Sequence, residues 1–146
     1  VQNSAAALPS SVGAERAFRA LRAEITELGG FAYVFSSTVL AGQAQLVDVF
    51  NKARDEEYEE IVDRCDDFLQ QVSKEYAADH FTYAELEEND EDLTKLKRWL
   101  NKIRARDVLR AGGLDATVDA LNKCEQVLEE YAARVYAEEG EGSEAL

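Results

Sequence analysis

The 146-residue chain has no methionine, one proline, one tryptophan, one histidine and two cysteines, and each shortage removes a class of function. No stretch of about 18 consecutive apolar residues occurs, so no helix of the membrane-spanning kind is encoded. The opening VQNSAAALPSS carries neither the positive start nor the apolar centre of a secretory signal. The lack of a starting methionine leads us to expect a fragment or a processed product. With a single histidine, His80, preceded three residues earlier by Ala77, no Glu-x-x-His pair exists. A carboxylate di-metal centre of the ferritin-like kind, which requires two such pairs, is therefore excluded. No metal or cofactor is expected. His80 reads as a surface or capping residue of a connection. Phosphate loops, nucleophile elbows and Gly-rich dinucleotide turns are also missing, so the chain is read as a non-enzyme.

Cys65 and Cys124 lie in DRCDD and NKCEQ, inside helical patterns and without metal-ligand spacing. Neighbouring carboxylates disfavour a thiolate, which argues against reactive cysteine chemistry. Two small buried hydrophobes in a reducing, cytoplasmic compartment is the leading reading, with a Cys65–Cys124 disulfide as the alternative.

Charge is abundant but of one sign, with 30 acidic against 16 basic residues and a net charge of −14. Such a field repels polyanions and anionic membranes as a whole. It is sharply sorted, however. Residues 48–92 carry 17 acidic and 4 basic side chains, whereas residues 95–110 carry seven basic residues against Asp107 alone. Lys95, Arg98, Lys102 and Arg106 step by 3, 4 and 4 and share one helical face with Trp99. This stripe is the candidate anion or partner surface. Three assignments stay open for it: pairing within the chain, notably with Asp55, Glu56, Glu59, Glu60, Asp63, Asp66 and Asp67; a protein partner; and nucleic acid or an oxyanion. Trp99 and the tyrosines are assigned to packing rather than to stacking platforms.

The expected fold is mainly α. Phe18, Leu21, Ile25 and Leu28 mark an amphipathic helix over about 13–28, closed by Gly29-Gly30, and FAYVFSSTVL predicts a strand over about 31–40. Residues 1–42 thus form a small, partial α/β segment, with Val1–Leu8 as a candidate second strand despite its poorly suited Ala5–Ala7 run. Residues 43–137 carry three seams with steps of 3 and 4. These are Val47, Phe50, Tyr58, Ile61, Cys65, Phe68 and Val72, with Arg54 as the polar exception; Leu86, Leu93, Leu96, Leu100 and Ile103; and Leu114, Val118, Leu121, Cys124, Leu128, Tyr131 and Val135. They predict an elongated, antiparallel, coiled-coil-like three-helix bundle. Thr82-x-x-Glu85 supplies a capping box for its second helix, Ala111-Gly112-Gly113 its stop, and residues 138–146 a flexible acidic tail.

Four segments carry a resemblance: LRAEITELGG at 21–30, FNKARDEEYEEIVDRCDDFL at 50–69, FTYAELEENDEDLTKLKRWLNKIRARDVL at 81–109 and CEQVLEEYAARVYA at 124–137. Together they resemble the N-terminal domain of the ChrB family of chromate-resistance proteins. The resemblance implies a ferredoxin-like layer, expected to be incomplete here because the family's opening strand, helix and strand are not among these residues; in the larger regulators it also implies a C-terminal chromate-resistance domain, which is expected to be absent here. It further implies a part in chromate-responsive transcription regulation, with DNA or chromate as ligands of the full-length protein. The leading functional expectation is a regulatory or interaction module. A self-associating structural helical protein is the alternative, and an oxyanion-handling enzyme the least favoured.

Overall fold

The computed structural model describes residues 4–144, which form four helices, α1 (Val12–Glu27), α2 (Gln43–Ala77), α3 (Tyr83–Arg106) and α4 (Leu114–Glu144). The chain divides into two compact units, Val1–Gln43 and Ala44–Leu146. No described helix is long and apolar enough to cross a membrane.

In the first unit, Ser11 caps α1 by accepting a hydrogen bond from the Ala14 N–H at 3.0 Å. The helix ends in a Schellman turn: the Gly30 N–H reaches the Ile25 carbonyl and the Gly29 N–H that of Thr26. Gly29 takes φ = 84°, which a side chain disfavours. Residues 31–40 are not a strand, and neither are residues 4–8 of the candidate Val1–Leu8 strand, whose residues 1–3 lie outside the described residues. The ferredoxin-like α/β segment expected from the sequence is therefore not formed among the described residues. A strand is defined by the ladder it shares, and β-branched and aromatic composition cannot supply the partner. What composition does fix is alternation. Phe31, Tyr33 and Phe35 follow one another at ring spacings of 6.4 Å and remain exposed. No residue of α1 is fully buried, and Phe18 and Ile25 of its apolar face are half-buried.

The second unit is built on α2, α3 and α4. Its core contains Tyr58, Ile61, Cys65, Phe68 and Val72 from α2, Leu93, Leu100 and Ile103 from α3, and Leu121, Cys124, Leu128, Tyr131 and Val135 from α4. The apolar seams supplied these positions. Val47 and Phe50, at the start of the first seam, are only half-buried. Thr117, absent from the third seam, is fully buried and donates to the Tyr58 and Gly113 carbonyls. Directions follow from the cross-helix bonds. Thr117 meets Tyr58 and Cys124 meets the Cys65 carbonyl, both at a separation of 59 residues, so α2 and α4 run parallel. Arg106 meets Glu57 near the start of α2, so α3 runs against α2. The chain as a whole thus carries four helices and no strand among the described residues, in place of three bundle helices on an α/β layer.

Two boundaries differ from expectation. α3 stops at Arg106, not at Ala111-Gly112-Gly113, because Asp107 ends it. One carboxylate oxygen of Asp107 accepts from the Tyr58 hydroxyl at 2.8 Å and the other from the Ala111 N–H at 2.8 Å, which ties the α3–α4 turn to α2. Gly113 is needed at the other end of this turn. A Cβ there would lie 3.0 Å from both the Tyr58 Cβ and an Asp55 carboxylate oxygen, the atom that accepts the Gly113 N–H. α4 continues to Glu144, into the segment read as a flexible tail; Ala145 and Leu146 lie outside the described residues.

The cysteines are free and buried. Their mutual hydrogen bond raises the Cys124 thiol well above its ordinary range, with burial adding to the rise, and lowers the Cys65 thiol against the opposing effect of burial; complete burial of both assigns them to packing.

Burial, followed by the Asp107 hydrogen bond, raises the Tyr58 phenol above its usual value, and burial raises that of Tyr131 as well. An acid whose folded pKa is raised stabilises the fold fully below its unfolded pKa, about 10 for tyrosine, and less as pH climbs past it. Urea unfolding followed by circular dichroism should therefore show stability falling above about pH 10. Tyr58→Phe should cost about 1–2 kcal/mol at pH 7 and show a smaller alkaline fall than the parent chain. An equal fall in both would remove Tyr58 from this account.

Candidate functional site

The basic stripe lies on α3, where Thr82 caps the N-terminus and the acidic first half of the helix precedes the basic second half. The last turn holds Arg104 and Arg106, cations at the end where the helix dipole is negative. The five residues singled out in the sequence do share this helix, but their environments separate them. Trp99 is half-buried and packs against the core of the second unit. Lys95 is exposed and bonds to Asp92 on its own helix at 2.9 Å, which raises its pKa above the ordinary lysine value. Arg106 reaches across to Glu57 of α2 at 2.7 Å and also donates from Nε to the Lys102 carbonyl. Arg98 and Lys102 are exposed and enter no ion pair among the described residues.

Internal pairing is thus real but narrow. Of the acidic residues offered by α2, none of Asp55, Glu56, Glu59, Glu60, Asp63, Asp66 and Asp67 pairs with the stripe. The partner is Glu57, which also binds Arg54 at 2.8 Å. Arg54, the polar interruption of the first seam, is half-buried and takes part in this ion pair. Lys97, off the stripe, pairs with Glu125 of α4. The uncommitted charge of the stripe is concentrated at Arg98 and Lys102.

Beside the end of the stripe, Arg104, Asp107, Arg110 and Asp115 border a depression of about 460 Å³ over the α3–α4 turn. Arg110 stands there with φ = 58°, an uncommon conformation for a bulky residue. Two arginines and two carboxylates give this depression both signs of charge, so it is not a simple anion pocket.

One grouping escaped the sequence reading. Glu75, His80 and Glu85 place ligand-type atoms within 4.8 Å of one another at the α2–α3 turn. A search for Glu-x-x-His inside one helix misses it, because the three residues straddle a helix end and the next helix start. The available signal was the spacing Glu-x4-His-x4-Glu across a stop and a capping box.

The second unit is therefore of a definite class: three packed helices presenting one basic face and one carboxylate–histidine turn. The family model described as Protein ChrB, N-terminal, matches residues 1–142, and the chain belongs to that family, as the four sequence segments indicated. No curated protein and no solved structure matches the chain.

The Arg106–Glu57 pair is half-exposed on the arginine side, with the Arg106 side chain 50% accessible. Pairs of this kind contribute about 0–1 kcal/mol. Arg106→Ala should accordingly lower the unfolding free energy by no more than about 1 kcal/mol, with much of the loss disappearing in 1 M salt. A larger, salt-independent loss would mean that Arg106 acts chiefly through packing.

Proposed function

We propose that this chain is a non-enzymatic regulatory or interaction module of chromate resistance, which engages an anionic partner through Arg98 and Lys102 on the exposed face of α3. Family membership supports the chromate-resistance setting. The observation that carries the surface is the contrast within the stripe: Lys95 and Arg106 are committed to Asp92 and Glu57, while Arg98 and Lys102 are exposed and unpaired among the described residues. Four residues apart, these two project from one face. They offer a forked guanidinium and a point charge to carboxylate or phosphate groups. The surrounding negative field favours a contact limited to this face over general adhesion to a polyanion.

A second reading, self-association, is favoured by the exposed Leu28, Phe31, Tyr33, Phe35 and Leu40 of the first unit. Large apolar side chains exposed in series are a feature of association surfaces. Light scattering over a concentration series separates the two readings, since a strictly monomeric chain would reject the second.

The first reading is tested by titrating a labelled DNA duplex, an acidic peptide and chromate against the chain at 50 and 200 mM salt. If two phosphates are contacted, affinity for DNA should fall about tenfold over that range. The charge reversal Arg98→Glu with Lys102→Glu should abolish binding of whichever probe is held. Failure of all three probes to bind at 50 mM salt, or binding unaffected by the reversal, would reject it.

A further inference from the structure

We infer that Glu75, His80 and Glu85 form a binding site for one divalent transition-metal ion of the zinc class, at the α2–α3 turn. The three side chains are brought together by the backbone. Helix α2 ends in a Schellman turn, in which the Asp79 N–H bonds the Tyr76 carbonyl and the His80 N–H bonds the Glu75 carbonyl. Asp79 supplies the required positive φ, 53°. That pair of bonds sets His80 directly beside Glu75, the residue five positions earlier. Three residues after Glu85's own cap, Thr82, α3 is under way: the Glu85 N–H donates to Thr82 Oγ1 at 3.3 Å. The reciprocal bond of a full capping box, from the Thr82 N–H to the Glu85 carboxylate, does not occur among the hydrogen bonds of the described residues. The Glu85 carboxylate turns instead toward Glu75 and His80.

Spacing suits a metal. His80 Nδ1 lies 3.2 Å from Glu75 Oε2, and two ligands each about 2.0–2.1 Å from a tetrahedral zinc stand about 3.3–3.4 Å apart. Glu85 completes a set whose ligand atoms all fall within 4.8 Å, a spread that a rotation of the partly exposed Glu85 side chain closes.

Charge calls for one. The Glu75 side chain is only 8% exposed. Its hydrogen-bond partners are Gln71 and His80, the latter an ion-pair partner only when its imidazole is protonated, and no lysine or arginine pairs with it among the described residues. A buried carboxylate is costly unless it is neutralised, and the second carboxylate of Glu85 adds to the repulsion. A divalent cation satisfies both at once. A separate feature lies one helical turn beyond Glu85: Asn89 is 4% exposed and its Nδ2 has no hydrogen-bond partner.

The donor set selects the ion. One imidazole and two carboxylates fit zinc, manganese or ferrous iron, while the imidazole disfavours magnesium and calcium and the lack of a thiolate disfavours cuprous ion. The His80 side chain is 61% exposed, which leaves a solvent-facing position for water or for a ligand group from a partner.

The chain stripped with chelator should take up one Zn²⁺ per molecule in calorimetric titration and melt at a higher temperature when loaded. His80→Ala and Glu85→Gln alter accessible side chains, so both should keep the parent circular dichroism spectrum. Each should weaken zinc at least about tenfold, the smallest loss seen when a group that merely supports a metal ligand is removed. Glu88→Gln, an exposed acidic residue of the same helix, should change nothing. Cobalt substituted for zinc should give a visible d–d spectrum that shifts in His80→Ala. Absence of saturable zinc uptake, undiminished affinity in His80→Ala, or an equal loss in Glu88→Gln would each overturn the site, without bearing on Arg98 and Lys102.

Discussion

The second unit depends on a register. Contacts between α2 and α4 recur at a separation of 59 residues, Tyr58 with Thr117 and Cys65 with Cys124, and each is made deep in the core by a small or hydroxyl-bearing side chain. Two small residues facing one another let helix backbones approach closely, and the Thr117 hydroxyl and the Cys124 thiol donate to backbone carbonyls. A slip of either helix by one residue would leave Thr117 without the Tyr58 carbonyl and would bring larger side chains against each other. The polar pairs fix the alignment, while the apolar seams supply most of the energy. A buried Leu, Ile or Val contributes about 1.5–3 kcal/mol, and such contributions tolerate sliding better than a hydrogen bond does.

That register also decides which charges are used internally. With α3 running against α2, the end of α3 faces the start of α2, so Arg106 finds Glu57 and Asp107 finds Tyr58. The long acidic run of α2 lies along the same helix, yet most of it points elsewhere. Sorting of charge along a sequence therefore overstates pairing in space: of four cations on one face, only one crosses to α2. The net charge of −14 keeps the chain as a whole negative, which weakens contacts with extended polyanions and leaves a short-range, oriented contact at Arg98 and Lys102 as the favourable mode.

The helices were legible in the sequence because their determinants are local. Seams at steps of 3 and 4, Thr82 as a cap and Gly29-Gly30 as a stop act within a few residues, and the structure follows them. The end of α3 was misplaced because Asp107 is not a stop signal by type. It ends the helix through Tyr58, 49 residues away. FAYVFSSTVL was read as a strand from composition, but pairing is a property of two segments, and composition reports only one. In the site, the shared face of Lys95, Arg98, Lys102 and Arg106 was evident from spacing alone. Their division into engaged and free cations was not, because Glu57 looks no different in sequence from Glu56 or Glu59.

The α2–α3 turn shows how local signals combine into something none of them encodes. Its conformation is fixed four times over: by the Schellman bonds at Glu75 and Tyr76, by the Thr82 cap, by the Tyr131 hydroxyl donating to the His80 carbonyl at 2.7 Å, and by packing of Phe81 among Tyr76, Tyr131 and the Arg134 guanidinium. A connection between two long helices needs far less than this to reverse direction. The surplus fixes the backbone positions of His80 and Glu85 relative to Glu75 before any ligand arrives, so that only side-chain rotations remain to be ordered on binding. Because Tyr131 belongs to α4, a ligand held at this turn would also be felt by the third helix, through a single hydrogen bond to the backbone of one of its own ligating residues.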